Sequence, residues 1–395
     1  MTFNSTHSPN LHPSMGRPQG KVVLSFLMIT LGITVYLLSI SWRHSSLFLI
    51  GAGFGITLYH AGFGFASAYR KWFRQGEVDG MLAQVLMLSI ATLLFAPFLL
   101  HGTLGASPLR GALAPVAVQG AIGAFLFGVG MQLGSGCACG TLYTIGAGSM
   151  GMGITLASFM AGSFWESVTS SLWQSLPRHA PISLLNSFGW YGVLLQLSLL
   201  ALLGWVLWRY KSLTRSAAVV KPPSQPLNLI HGPWSLVGGA IGLALLNWLT
   251  LLVAGRPWGV TWGFTLWGAK LAQSLGWNPS TSEFWSQGVG AEALKNSIWS
   301  DFTSLTNLGV ILGAAMAAAL AGRLSLRPPI SVAAVGAALL GGGMMGYGAR
   351  LAFGCNVGAY FGGIASTSLH GWLWIFFALL GTGVGVRLRR LIMND

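Results

Sequence analysis

Three cysteines carry the only thiols in the chain, and two of them stand in the same frame. Cys137 lies in the phrase GVGMQLGSGCACG at 128–140, and Cys355 lies in GYGARLAFGCNVG at 346–358. Glycines, a leucine and the cysteine fall in register at a constant offset of 218 residues. Each cysteine is bracketed by glycines: Gly136 and Gly140 around Cys137, and Gly354 and Gly358 around Cys355. Glycine lets the backbone turn sharply and approach a solute closely. Each phrase begins at the end of an apolar run, so it predicts a broken helix. The free N–H groups of the next helical piece, with its dipole, would hold an anion without a formal charge. A thiol adds a weak S–H donor and a polarizable sulfur. Such a site binds weakly, which suits a solute that must enter and leave quickly. Buried free cysteine is otherwise a small hydrophobe. The matched repeat raises Cys137 and Cys355 above that reading, whereas Cys139 has only its Cys-x-Cys spacing.

Two neighbours extend the candidate path. Arg350 lies five residues before Cys355, and a charge inside a membrane helix marks a path or a partner by default. It could also snorkel to the interface. Its counterpart in the first phrase is Gln132. Asn356 either orients a solute or caps the helix break. Glu166 is placed at the membrane interface, with a proton-coupling role left open. There is no CxxC pair, no His/Cys cluster and no haem, flavin or metal motif. No cofactor and no metal site are expected, and a transporter is expected rather than an enzyme.

The elements that position these residues follow from composition. The chain has 395 residues, 53% hydrophobic and 7% charged. A soluble domain carries about 25% charged residues, so this chain belongs in a lipid bilayer. Its apolar runs are long and continuous, which favours helices over the alternating segments of a β-barrel. The 56 glycines let such helices approach closely and break. Net charge is +14. The basic residues sit between apolar runs, as in the positive-inside pattern of membrane proteins, so no nucleic-acid partner is expected.

Spanning runs are read at 22–40, 47–63, 81–100, 115–133, 154–165, 188–208, 236–253, 303–321, 330–348 and 371–386. The piece at 258–277, interrupted by Gly259, Gly263 and Gly268 and carrying Lys270, reads as re-entrant or discontinuous. Basic groups at Arg70–Arg74, Arg209–Lys221, Arg323–Arg327 and Arg387–Arg390 are all placed in the cytoplasm, with both termini. The helices before Cys137 and Cys355 then cross in opposite directions. The expected fold is an all-α integral membrane protein, a polytopic helical bundle of two inverted repeats with broken or re-entrant helices. A disordered tail is expected at 1–20, a first membrane repeat at 21–208, a cytoplasmic linker at 209–233 and a second repeat at 234–395.

The same phrases resemble the YeeE/YedE family of bacterial inner-membrane proteins, a sulfur-transport family that includes thiosulfate uptake proteins. GVGMQLGSGCACGTLY at 128–143 and GYGARLAFGCNVGAYFGGIASTSLHGWLW at 346–374 carry the resemblance. GFGFASAYR at 62–70 and GRPWGVTWGFTLWG at 255–268 support it. The resemblance implies import of a small sulfur-containing anion, thiosulfate first, through a path marked by Cys137 and Cys355. It also implies a small cytoplasmic sulfur-carrier protein as a downstream partner. Relatives present a further cysteine in a Phe-Cys phrase; here that phrase is Phe63-Gly64. Either Cys139 stands in for it, or the solute is a related sulfur or selenium species. A membrane-embedded thiol oxidoreductase or sulfur transferase is the alternative.

Overall fold

The computed structural model describes residues 17–214, 230–326 and 331–393. The expected tail falls mostly outside these residues, as do Arg215, Lys221 and Arg327. The described residues 17–20 are tied down: Gln19 donates to the carbonyls of Ala319 and Leu324, and Gly20 opens the first helix.

The architecture is helical. In chain order the first part contains α1 (Gly20–Ile40), α2 (Trp42–Ala61), α3 (Phe65–Gln75), α4 (Asp79–His101), α5 (Val118–Leu133), α6 (Ala138–Gly146) and α7 (Met150–Thr169). A short α8 (Leu184–Phe188) precedes α9 (Trp190–Thr214). Then come α10 (Leu236–Ala254), α11 (Thr261–Ser274), short α12 (Glu283–Ser286) and α13 (Gly288–Lys295), α14 (Phe302–Leu320) and α15 (Val332–Leu351). A π-helix (Asn356–Gly362) runs into α16 (Gly363–Ala365), and α17 (Leu369–Met393) closes the bundle. Among the described residues, strands are limited to two-residue pairs, 103–104 with 107–108 and 116–117 with 178–179.

Nine helical stretches among the described residues are long and apolar enough to cross a membrane. The protein is a multi-pass membrane protein. Its helices form where apolar runs meet local start and stop signals. Ser235 accepts from the Gly238 amide, and Asp301 accepts from the Ser304 amide, so orphan donors at those helix starts are satisfied. Left-handed Gly62 and Gly255 end α2 and α10 in matching fashion. The 154–165 run is the middle of the longer α7, and α9 continues past 209 to Thr214. The piece at 258–277 is the 14-residue α11, and Lys270 is anchored there to the carbonyls of Leu294 and Asn296. The amphipathic α3 and the pair α12–α13 lie between the apolar runs.

The helices pack reciprocally. α2 lies on α14 as α10 lies on α4; α5 lies on α17 as α15 lies on α7. α3 touches α17, and α11 touches α7. At the centre, α5 and α15 run antiparallel: Gly123 meets Gly348 and Ala352, while Gly130 meets Gly341 and Met345. Without side chains between them, the two backbones come into direct contact, as glycine permits in membrane bundles.

Candidate functional site

Both cysteine phrases fold into the same local device. α5 stops at Leu133, the backbone turns through left-handed Ser135, and Cys137 becomes the N-cap of α6. α15 stops at Leu351, turns through left-handed Phe353, and Cys355 becomes the N-cap of the π-helix. Ser135 and Phe353 are separated by the same 218 residues as the cysteines. Left-handed backbone at a side-chain-bearing residue costs on the order of 1–3 kcal/mol and persists where surroundings hold it. They do: the Arg389 guanidinium donates to the Ser135 hydroxyl (2.6 Å) and the Gln132 carbonyl (2.8 Å). The Trp374 indole donates to the Gly354 carbonyl (3.0 Å). Gly354 has φ +149°, which side-chain-bearing residues rarely adopt.

The thiols of Cys137, Cys139 and Cys355 are free, 1% exposed and share one buried cluster. α6 and the π-helix pack against each other, so the two devices meet. The Cys137 and Cys139 sulfurs are 3.5 Å apart. The Val357 amide donates to the Cys355 sulfur (3.4 Å). The amides of Gly140, Ala66 and Phe65 are directed at the Cys137 sulfur, so the start of α3 contributes to the same point. Helix starts aimed at sulfur make the cluster receptive to negative charge.

Of the residues singled out in the sequence, Cys137, Cys139, Gly140, Cys355 and Asn356 gather in this buried region. Gly136 makes only ordinary contacts, with the Met152 sulfur at 3.6 Å from its Cβ position. Asn356 is fully buried, and neither atom of its amide has a hydrogen-bond partner. It therefore does not cap the break; the Cys355 sulfur does.

Gly354, Gly358 and Arg350 instead face a cavity of about 430 Å³ at the end of the bundle where α15 finishes. Arg178, Arg256 and Glu166 also line it. Arg350 has a partner in the fold. It pairs with Glu166 at 3.4 Å and lies over the Phe284 ring, 4.8 Å from its centroid. Glu166, in the last turn of α7, is 5% exposed and covered by neighbouring side chains. A second cavity, about 130 Å³, opens where α4 begins, lined by Gly62, Gly64, Lys71 and Gln84. Gly64 thus stands at the rim of this cavity, with the Tyr143 hydroxyl 3.6 Å from its Cβ position.

Several polar residues were not singled out in the sequence. Tyr69 and Gln84 are both 1% exposed, and the Tyr69 hydroxyl donates to Gln84 Oε1 at 2.8 Å. Asn356 and Tyr360 lie against that hydroxyl. Arg70 Nε donates to Gln132 Oε1 at 2.9 Å, which joins α3 to the first motif. The phrase GFGFASAYR contains Tyr69 and Arg70, but nothing in its spacing separates them from ordinary helix residues.

Among the described residues no cluster of three or more His, Cys, Asp and Glu side chains could hold a metal ion. The profile of the sulphur transport family matches residues 60–384. The chain belongs to that family. It is 29% identical over 349 residues to the thiosulfate transporter TsuA of Spirochaeta thermophila, covering 84% of this chain and 95% of that protein. It is 28% identical over 270 residues to the thiosulfate transporter TsuA of Escherichia coli K12, covering 66% of this chain and 71% of that protein. The probable transporter YedE of Escherichia coli K12 is 33% identical over 154 residues, 39% of this chain and 37% of that protein. The sulphur transport family match spans both cysteine devices and both cavities. It places the chain among transport proteins rather than enzymes.

Proposed function

We propose that this protein imports a small sulfur-containing anion, thiosulfate first, along a path lined by Cys355, Cys137 and Cys139. One observation carries the reading: a buried cluster of three thiols and an unpaired Asn356 lies between cavities that open toward opposite ends of the bundle. A sealed apolar core has no use for an unpaired amide, whereas a transient polar ligand does. The relatives named as thiosulfate transporters supply the solute.

The ion would collect at the cavity of Arg350, Arg256 and Arg178, whose positive excess over Glu166 suits a dianion. Backbone at Gly354 and Gly358 lets it approach Cys355. Asn356, then Cys137 and Cys139 with Gly136 and Gly140 shaping their turn, would pass it to the cavity at Gly64. Hydrogen bonds from uncharged donors keep each step weak enough to release. That exit, and both termini, are proposed to face the cytoplasm across a bacterial inner membrane, a reading supported by the basic residues Arg70, Lys71, Arg74 and Arg387–Arg390. The antiparallel α5 and α15, each carrying one copy of the motif, support an inverted duplication: repeats at 21–208 and 234–395 joined by a linker at 209–233. A small cytoplasmic sulfur-carrier protein is proposed to receive the imported sulfur.

The test is uptake of labelled thiosulfate and related sulfur and selenium anions in a host lacking its own uptake systems. Cys137→Ala and Cys355→Ala should abolish it at equal protein level. Uptake equal to the parent would end the thiol path. The 3.5 Å sulfur pair favours one second reading, a thiol oxidoreductase or sulfur transferase. Mass spectrometry of substrate-treated protein would then find a persulfide or disulfide on Cys137, Cys139 or Cys355.

A further inference from the structure

The polar atoms opposite the sulfurs have a role that the thiol path leaves unfilled. Tyr69 on α3, Gln84 on α4 and Asn356 on the π-helix are each at most 1% exposed. The Tyr69 hydroxyl spends its proton on Gln84 Oε1. That contact fixes the Gln84 amide and leaves its Nε2 group without any acceptor. Asn356 lies against the same hydroxyl and also has an unsatisfied Nδ2. Each amide nitrogen carries a pair of N–H groups. Buried donors without acceptors are rare, and each one asks for a partner. Here they come from three elements and converge through one tyrosine, so a chance packing defect is a poor account. Tyr69 is also close to Cys137, so the amides and the sulfurs border the same space. Gln84 continues to the rim of the 130 Å³ cavity.

Resting on the transport reading above, we infer that Gln84 and Asn356, aligned by Tyr69, form a subsite for the oxygen-bearing end of the anion, while the thiols face its sulfur end. The pocket is two-faced. One side offers hard N–H donors that match sulfonate-type oxygens. The other offers polarizable sulfur that matches a terminal sulfur. An anion with both ends satisfies both sides. Hydrosulfide lacks the oxygen end, and sulfate lacks the soft end. Selectivity therefore comes from the pair of faces, without a formal positive charge at the centre.

The experiment uses the purified full-length chain in liposomes, with initial rates of labelled thiosulfate uptake and hydrosulfide as competitor. Asn356→Ala is the first variant, because it leaves the Tyr69–Gln84 hydrogen bond in place. Gln84→Met combined with Tyr69→Phe is the second, because it removes the amide and the hydroxyl together. Each should raise the thiosulfate KM about tenfold or more, with hydrosulfide inhibition unchanged. A shift of both anions in parallel, or an unchanged thiosulfate KM, would overturn the subsite. Absence of thiosulfate uptake by the unaltered chain would instead remove the transport reading, and this inference with it.

Discussion

Gly130 of α5 rests on Gly341 of α15, so closely that a Cβ at Gly130 would stand 2.7 Å from the Gly341 carbonyl oxygen. The partner contact is Gly123 on Gly348, where a Cβ would stand 2.6 Å from the Gly348 oxygen. Position 341 is 218 residues after 123, and 348 is 218 after 130. Each residue thus touches the counterpart of the other, as residues do across a two-fold axis.

Bulk at this seam should separate the two halves. Gly130→Leu or Gly341→Leu pushes a side chain into backbone, not into a void. Overpacking costs typically about 1–3 kcal/mol even where side chains can move. The expected result is a loss of at least that stability in thermal unfolding of detergent-purified protein. Gly151→Leu, where a Cβ meets nothing within 4 Å, should have little effect.

The three thiols should not contribute equally. Cys137 and Cys355 are N-caps at the two helix breaks, while Cys139 lies inside α6. Alanine at 137 or 355 is expected to reduce uptake by tenfold or more. Cys139→Ala should reduce it less and mainly change preference among sulfur and selenium anions. Competition uptake measures both quantities. Equal losses at all three positions would contradict this ranking.

Arg350 and Glu166 should behave as one unit. Removing one partner of a buried ion pair leaves an uncompensated charge, at a cost of about 3–5 kcal/mol. Arg350 is partly exposed, so the low end applies. Arg350→Gln and Glu166→Gln should each destabilise the protein, and the double variant should recover part of that loss. A thermodynamic cycle from unfolding midpoints reads the coupling. Uptake should stay low in both variants lacking Arg350, because the cavity proposed to collect the anion has lost a charge.

Trp374→Phe keeps an aromatic ring but removes the indole N–H, and it leaves a void where the fused five-membered ring was buried. The Gly354 carbonyl then loses its donor inside the protein, a penalty of about 1–3 kcal/mol. Loss of uptake should exceed the loss of protein, since the bond holds the turn that presents Cys355. Comparing transport per folded molecule with the parent decides the point.

Helices such as α4, α10 and α14 were legible because lipid demands long apolar runs, and both helix breaks followed from glycine around Cys137 and Cys355. Short α3 and the α12–α13 pair were not legible, because amphipathic and polar segments carry no spanning signal. The ion pair of Glu166 was hidden for a related reason: distance along the chain says how near a helix end a residue is, not which neighbour awaits it. Its partner Arg350 comes from a helix in the other half. Tyr69 and Gln84 escaped notice because an aromatic and an amide in an apolar stretch read as filler. Their role appears only when three separate elements meet.

Burial of the sulfurs to 1% exposure has a consequence for the cell. Oxidation of a cysteine depends on its exposure, so this packing shields the three thiols from oxidants in the surrounding water.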